Sequence, residues 1–192
     1  EQAAGVGVTI DLRLRRGEEP YQEIVQEAMQ QGSDLIIIRR RGKRGFLANL
    51  LVGEMVSKVV THAPCHVLIV PRGAHLWSQR VLAAAEPTAQ GRRIVATATA
   101  VAVECGLPLH LVSVVAAEEE RPQADAFVAD MLGQARQAGV AAQGDVRIGK
   151  PFTEILAASA ACHADLIVMG SRGDSRIGRA LLGGVAQKVM GL

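Results

Sequence analysis

The stretch best suited to holding a ligand is Met169-Gly170-Ser171-Arg172-Gly173, followed after nine intervening residues by Gly183-Gly184. Glycines let backbone approach a ligand closely and adopt positive φ, which leaves N–H groups free to point outward. A helix opening at Gly183 adds unpaired N–H donors and a partial positive charge. Together these make a phosphate cradle, provided the loop sits at the carboxyl end of a parallel sheet, where ligands of open α/β folds bind. The competing reading is that the glycines only turn and pack the chain, and spacing alone leaves both open.

Other chemistry-bearing residues fail on their spacing. Gly144-Asp-Val-Arg-Ile-Gly149-Lys150 is one residue short of a P-loop, and Pro151 stands where the Mg²⁺-binding hydroxyl belongs. Arg39-Arg40-Arg41 with Lys43 and Arg44 reads as a solvated basic loop. His62, Cys65 and His66 are close together but lack a second ligand pair at zinc spacing. Ser171 is not a nucleophile elbow, because Met169 occupies the required glycine position. Arg172-Gly173-Asp174 spells an adhesion tripeptide, which a ligand loop explains better. No acid–base pair or Ser/His/Asp order stands out, so catalytic residues are not expected.

The elements that must position the glycine loop alternate along the chain. Expected strands are Val8–Leu14, Asp34–Ile38, Pro64–Val70, Val81–Ala85, Leu109–Val115, Val140–Ile148 and Asp165–Met169. Expected helices are Pro20–Gln31, Gly53–Thr61, Thr88–Cys105, Gln123–Ala138 and Pro151–Cys162, with a last one opening at Gly183. Continuous apolar strands separated by helices mean βαβ units and an open parallel sheet with helices on both faces. The composition agrees: 192 residues, 49% hydrophobic, 3% aromatic, net charge +2. Five aromatic residues (Tyr21, Phe46, Trp77, Phe127, Phe152) are too few for a base-stacking platform, and the charge balance gives no pull on a phosphate backbone. No nucleic-acid partner is expected. The longest apolar run, Ile94–Val103, is broken by Thr97 and Thr99 and is far short of the about 20 residues of a membrane span. With no basic-then-apolar leader and three scattered cysteines (Cys65, Cys105, Cys162), the expectation is a cytoplasmic protein with reduced, buried thiols.

An internal repeat organises the chain. Pro20-Tyr-Gln-Glu-Ile-Val and Asp34-Leu-Ile-Ile-Ile match Pro151-Phe-Thr-Glu-Ile-Leu and Asp165-Leu-Ile-Val-Met at identical spacing. Leu50-Leu51 and Lys58-Val59 then answer Leu181-Leu182 and Lys188-Val189. The first copy lacks the strand–helix–strand opening of the second, and the second lacks a counterpart of Cys65–Val70. The expected organisation is residues 1–72 as the back part of a first module, 73–79 as linker, and 80–192 as a second module lacking its last strand. Both ends read as cut.

Over nearly all its length the chain resembles a tandem universal stress protein. The carriers are Gly170-x2-Gly173-x9-Gly183, the strand Asp165–Met169, and His62-Ala-Pro-Cys65 with Val67-Leu-Ile-Val70. The resemblance implies a five-stranded parallel sheet of nucleotide-binding-like type, with ATP against the glycine loop and adenine near the ends of the first two strands. It implies a nucleotide site of Ala84, Glu86, Val114, Gly170, Arg172, Gly173, Gly183, Gly184 and Val185, with or without Mg²⁺, and no metal site of its own. Two positions depart from the family's ATP-binding branch: Gly184 replaces a Ser or Thr, and Glu86 an Asp. The first copy departs further, with Arg39 for the first glycine, ten residues between Gly42 and Gly53, and Glu54 at the hydroxyl position, where a carboxylate repels phosphate.

The expected function is a nucleotide-responsive stress-response module that is not an enzyme. It pairs as a homodimer, or module to module, through the edge His66–Val70. The alternative is a nucleotide-free interaction protein of the same family, which would have no cofactor. A third reading, an ATP-hydrolysing enzyme, lacks a visible base.

Overall fold

The structure, a computed structural model, describes residues 9–39, 53–171 and 182–191. Its elements in order are α1 (Pro20–Gln31), β1 (Leu35–Arg39), α2 (Glu54–His62), β2 (His66–Val70), β3 (Val81–Ala84), α3 (Ala89–Cys105), β4 (Leu109–Val115), α4 (Arg121–Gln137), β5 (Ala142–Ile148), α5 (Pro151–Cys162), β6 (Leu166–Met169) and α6 (Gly184–Met190). The strands form two parallel sheets, β1-β2 and β5-β4-β3-β6. The larger sheet thus has four strands among the described residues, roughly consistent with the five-stranded parallel sheet that the resemblance implies for a complete module.

Local signals explain most boundaries. α1 and α5 each carry Pro in the first helical turn, where its missing N–H costs nothing. Each ends on a left-handed residue: Gly32 at φ 60° and His163 at φ 55°. The α3 helix opens on Thr88, whose Oγ1 accepts the Gly91 N–H at 3.0 Å. It closes on Gly106, with Leu107 N–H donating to the Ala102 carbonyl.

β3 is the central strand of the larger sheet and is buried on both faces. Val81 and Ala83 join Leu109, Leu111 and the buried sides of α3 and α4. Leu82 and Ala84 face the other way, with Val112, Ile155 and Ala158, and Val185 and Val189 of α6 close this second layer. Truncating a fully buried leucine here, Leu82 or Leu111, would cost about 2–5 kcal/mol.

Two expectations need correction. Residues 9–14 form no strand, although the apolar alternation of Val8–Leu14 points to one (Val8 itself lies outside the described residues). Period-two patterning makes a strand only beside a partner strand, and in the second sheet the corresponding segment, β5, has β4 to pair with. Residues 9–14 have no such neighbour among the described residues. Arg15 instead binds Glu23 at 2.8 Å and Arg13 binds Glu27 at 3.0 Å on α1, and Leu12 is left 93% exposed. Second, β1 is not buried on both faces. Ile36 and Ile38 pack under α1 and α2, while Ile37 on the opposite face is 64% exposed. The matching face of β6, Leu166 and Val168, is covered by the α3 layer, and among the described residues β1 has no helix in that place.

Among the described residues no helix is long and apolar enough to cross a membrane. All three cysteines are free, but they are not uniformly buried: Cys65 and Cys162 are half-buried, and Cys105 is exposed, with Trp77 Nε1 donating to its Sγ at 3.4 Å. Burial pushes the Cys65 thiol pKa up, and the neighbouring Asp34 charge adds to it.

Candidate functional site

β3 and β6 lie side by side, while the chain leaves β3 towards β4 on its other flank. At such a reversal of strand order the loops above the strands diverge and leave a crevice at their carboxyl ends. A cavity of about 450 Å³ opens there, within the size range of small-molecule sites. Its floor is the carboxyl end of the sheet, with Ala84, Val112, Val114 and Met169, and Ile155 of α5 forms an apolar wall.

Gly170 and the Gly183-Gly184 pair meet at this cavity. Gly170 and Ser171 leave β6 on one side, and Gly183 and Gly184 enter α6 on the other. The Gly183 N–H donates to the Ser171 carbonyl at 2.9 Å, so the two ends of the loop are pinned together. Gly183 is extended (φ −62°, ψ 137°), and Gly184 opens the helix, so the amides of the first turn have no carbonyl of their own helix to bond. A β-carbon built on Gly184 would meet nothing within 4 Å.

Of the expected site residues, Ala84, Glu86, Val114, Gly170, Gly183, Gly184 and Val185 all line this one cavity. Arg172 and Gly173 lie outside the described residues, as do Arg40–Arg44 of the basic loop. Glu86 is exposed at the rim, where β3 gives way to α3.

The lining residues that were not anticipated include Thr88, Gln90 and Gly91 at the start of α3. Gly91 is held against the turn before it, because a β-carbon there would overlap the Glu86 carbonyl oxygen. That oxygen also accepts the Thr88 N–H at 2.7 Å. A glycine in the first turn of an otherwise good helix is the signal for such a close approach.

The corresponding place in the first copy is built differently. Gly53 has nearly the conformation of Gly183, with φ −56° and ψ 140°. Glu54 follows it, 83% exposed, and pairs with Lys58 at 3.0 Å. Lys58 also reaches Glu19 at 3.2 Å and lies over the Tyr21 ring, so α2 is tied to α1 at this end.

The decoy motifs resolve as folding elements. Gly144–Ile148 is the body of β5, and a β-carbon on Gly144 would come 2.5 Å from the Leu111 carbonyl of the neighbouring strand. His62 Nδ1 lies 2.7 Å from the Lys58 carbonyl. Among the described residues no group of three or more His, Cys, Asp or Glu could hold a metal ion.

Asp145 and Asp165 are among the carboxylates away from the cavity whose pKa values are lowered. Burial works against the charge of Asp145, yet hydrogen bonds from Arg147 at 2.7 Å and His110 at 2.6 Å keep its pKa below the usual range. Asp165 at the opposite end of the sheet is opposed by partial burial and stabilised by the backbone N–H groups of Ser78, Gln79 and Arg80.

The sequence profile of the universal stress protein family matches residues 1–71 and 78–192. The chain belongs to the universal stress protein family. Universal stress protein Slr1230 of Synechocystis sp. is 24% identical over 85% of this chain and 56% of its own length. The chain thus spans about half of that curated relative. In fold, it superposes with a TM-score of 0.79 on a universal stress protein structure from Pseudomonas aeruginosa UCBPP-PA14, at 18% identity, covering 99% of this chain and 71% of that one. A universal stress protein solved in complex with cAMP superposes at a TM-score of 0.50 and 20% identity, over 60% of this chain and 90% of its own. This universal stress protein therefore has the α/β fold of its family, with parallel strands and covering helices.

Proposed function

We propose that this chain is a nucleotide-responsive regulatory module of the stress response that binds ATP in the cavity above β3 and β6. The observation that carries this reading is the meeting of Gly170, Ser171, Gly183 and Gly184 with Glu86 around a single cavity of about 450 Å³. The backbone N–H groups of the first turn of α6, which have no carbonyl of their own helix to bond, suit phosphate oxygens. Val112, Val114 and Ile155 suit an apolar ring, and the Glu86 carboxylate suits ribose hydroxyls. The cAMP-bound relative supports an adenine nucleotide as the ligand class. Mg²⁺ would enter with the phosphates rather than at a protein site.

The reading assigns a binding role without catalysis, in the cytoplasm. Glu86 is the cavity's lone carboxylate among the described residues. It divides the chain at a linker over 73–79, with Glu54 keeping the first copy free of nucleotide. Association proceeds through the edge of β2, as a homodimer or between modules.

The direct test is thermal melting with saturating ATP, which stabilises the state that binds it. A rise in melting temperature, lost in Gly173→Val, supports the proposal; no rise at saturating ATP contradicts it. One observation favours a nucleotide-free interaction role instead: Gly184 supplies no hydroxyl where the ATP-binding branch has one. ATP carried through purification, read by mass spectrometry, would exclude that role.

A further inference from the structure

We infer that α6 couples the cavity to the β1-β2 sheet, so that a ligand in the cavity also stabilises α1, α2 and their strands. The inference rests on the nucleotide reading above and adds its regulation.

The α6 helix is held by three sets of contacts. Its first turn lines the cavity through Gly184, Val185 and Ala186. Val185 and Val189, four residues apart and so on one face, pack on Leu82, Ala84, Val112 and Ile155 of the larger sheet's core. Met190, about 100° further round the helix, packs with Leu182 against the other core, that of Ile36, Ile38, Val56 and Val59. The same short segment thus closes one core and reaches into the other.

Its length makes this arrangement sensitive. α6 has seven residues, well below the about 12–15 that an isolated helix needs to persist in water. Its order therefore depends on what grips it: the valine face, the Leu182 and Met190 contacts, and whatever holds its first turn. A ligand bonded to Gly170, Ser171 and the amides entering α6 fixes that first turn. It thereby holds Met190 and Leu182 against Val56, Val59 and Ile38. Linkage requires the reverse as well: a β1-β2 unit that keeps these contacts makes the cavity bind more tightly.

Hydrogen exchange of the intact chain, with and without saturating ATP, separates the two claims. Slower exchange at 84–86 and 183–186 reports binding. Slower exchange at 35–39 and 54–62, by about fivefold or more, reports coupling. The double change Leu182→Ala/Met190→Ala touches no cavity-lining residue, and it is expected to keep the first effect and abolish the second. If that change unfolds the β1-β2 unit, the single change Met190→Gln, which keeps the apolar stem, reads the same quantity. Protection confined to the cavity overturns the coupling and leaves the nucleotide reading standing. Remote protection that survives the substitutions also overturns it, because the route would not be α6. No protection anywhere overturns both.

Discussion

Replacing Gly184 by serine adds to the cavity the hydroxyl that the family resemblance leads one to expect at this position. The structure says that the new side chain fits. Gly184 is not among the glycines at positive φ, and a β-carbon built on it meets nothing within 4 Å. Serine in a helical first turn also restricts the unfolded chain slightly, so the substitution is expected to leave stability unchanged or a few tenths of a kcal/mol higher. Gly184, the first residue of α6, lines the cavity together with Gly170 and Ser171, so the added hydroxyl joins that lining. A hydrogen bond to a charged acceptor contributes about 1.5–3 kcal/mol. Taking the lower end to allow for desolvating the hydroxyl, ATP affinity should rise about tenfold. Calorimetric titration of the wild-type chain and Gly184→Ser, at one pH and one Mg²⁺ concentration, measures this directly. An unchanged or weaker affinity in a variant with an unchanged melting temperature would refute the placement of phosphate at this turn.

Three further outcomes follow from the structure. Gly91→Ala should destabilise by more than about 1 kcal/mol in urea unfolding, the reverse of the usual gain from replacing a helical glycine, because its β-carbon would overlap the Glu86 carbonyl. Ser113 is fully buried on β4 with an Oγ that has no hydrogen-bond partner among the described residues, so Ser113→Ala should stabilise by about 1 kcal/mol, seen as a melting rise of about 2–4 °C. Asp165, held below the usual carboxylate range by three backbone N–H groups despite the opposing effect of burial, contributes stability above its unfolded value of about 3.9. That contribution disappears as pH falls through the lower folded value, so Asp165→Asn should melt below wild type at pH 7, with the gap closing in acid below about pH 4.

How far the sequence could be read depended on whether each signal was local. Pro151 and the apolar run ending at Cys162 place α5 at its observed bounds, and Leu109–Val115 is β4 as expected, because helix starts and buried parallel strands are written in a few adjacent residues. The segment 9–14 shows the limit. Its alternation is as strong as that of a real strand, but pairing is a property of a neighbour that the segment itself does not encode. The same holds for β1, whose Ile37 is as apolar as Ile36 yet faces outward for want of a covering helix. At the cavity, glycines spaced for a loop were legible. The approach of Gly91 to Glu86 was hidden in a helix pattern, because only the turn from β3 into α3 brings those two backbones together. The double allegiance of α6 was legible only in part: Val185 and Val189 read as one helical face, while the destination of Met190 depends on where the β1-β2 sheet lies.

The most direct measurement is an equilibrium titration of ATP into the intact chain with the stoichiometry determined. Saturable binding of one ATP per chain, abolished by Gly173→Val, is the expected result. Binding that does not saturate, or that survives Gly173→Val undiminished, would contradict a nucleotide site formed by Gly170–Gly173 and Gly183–Val185.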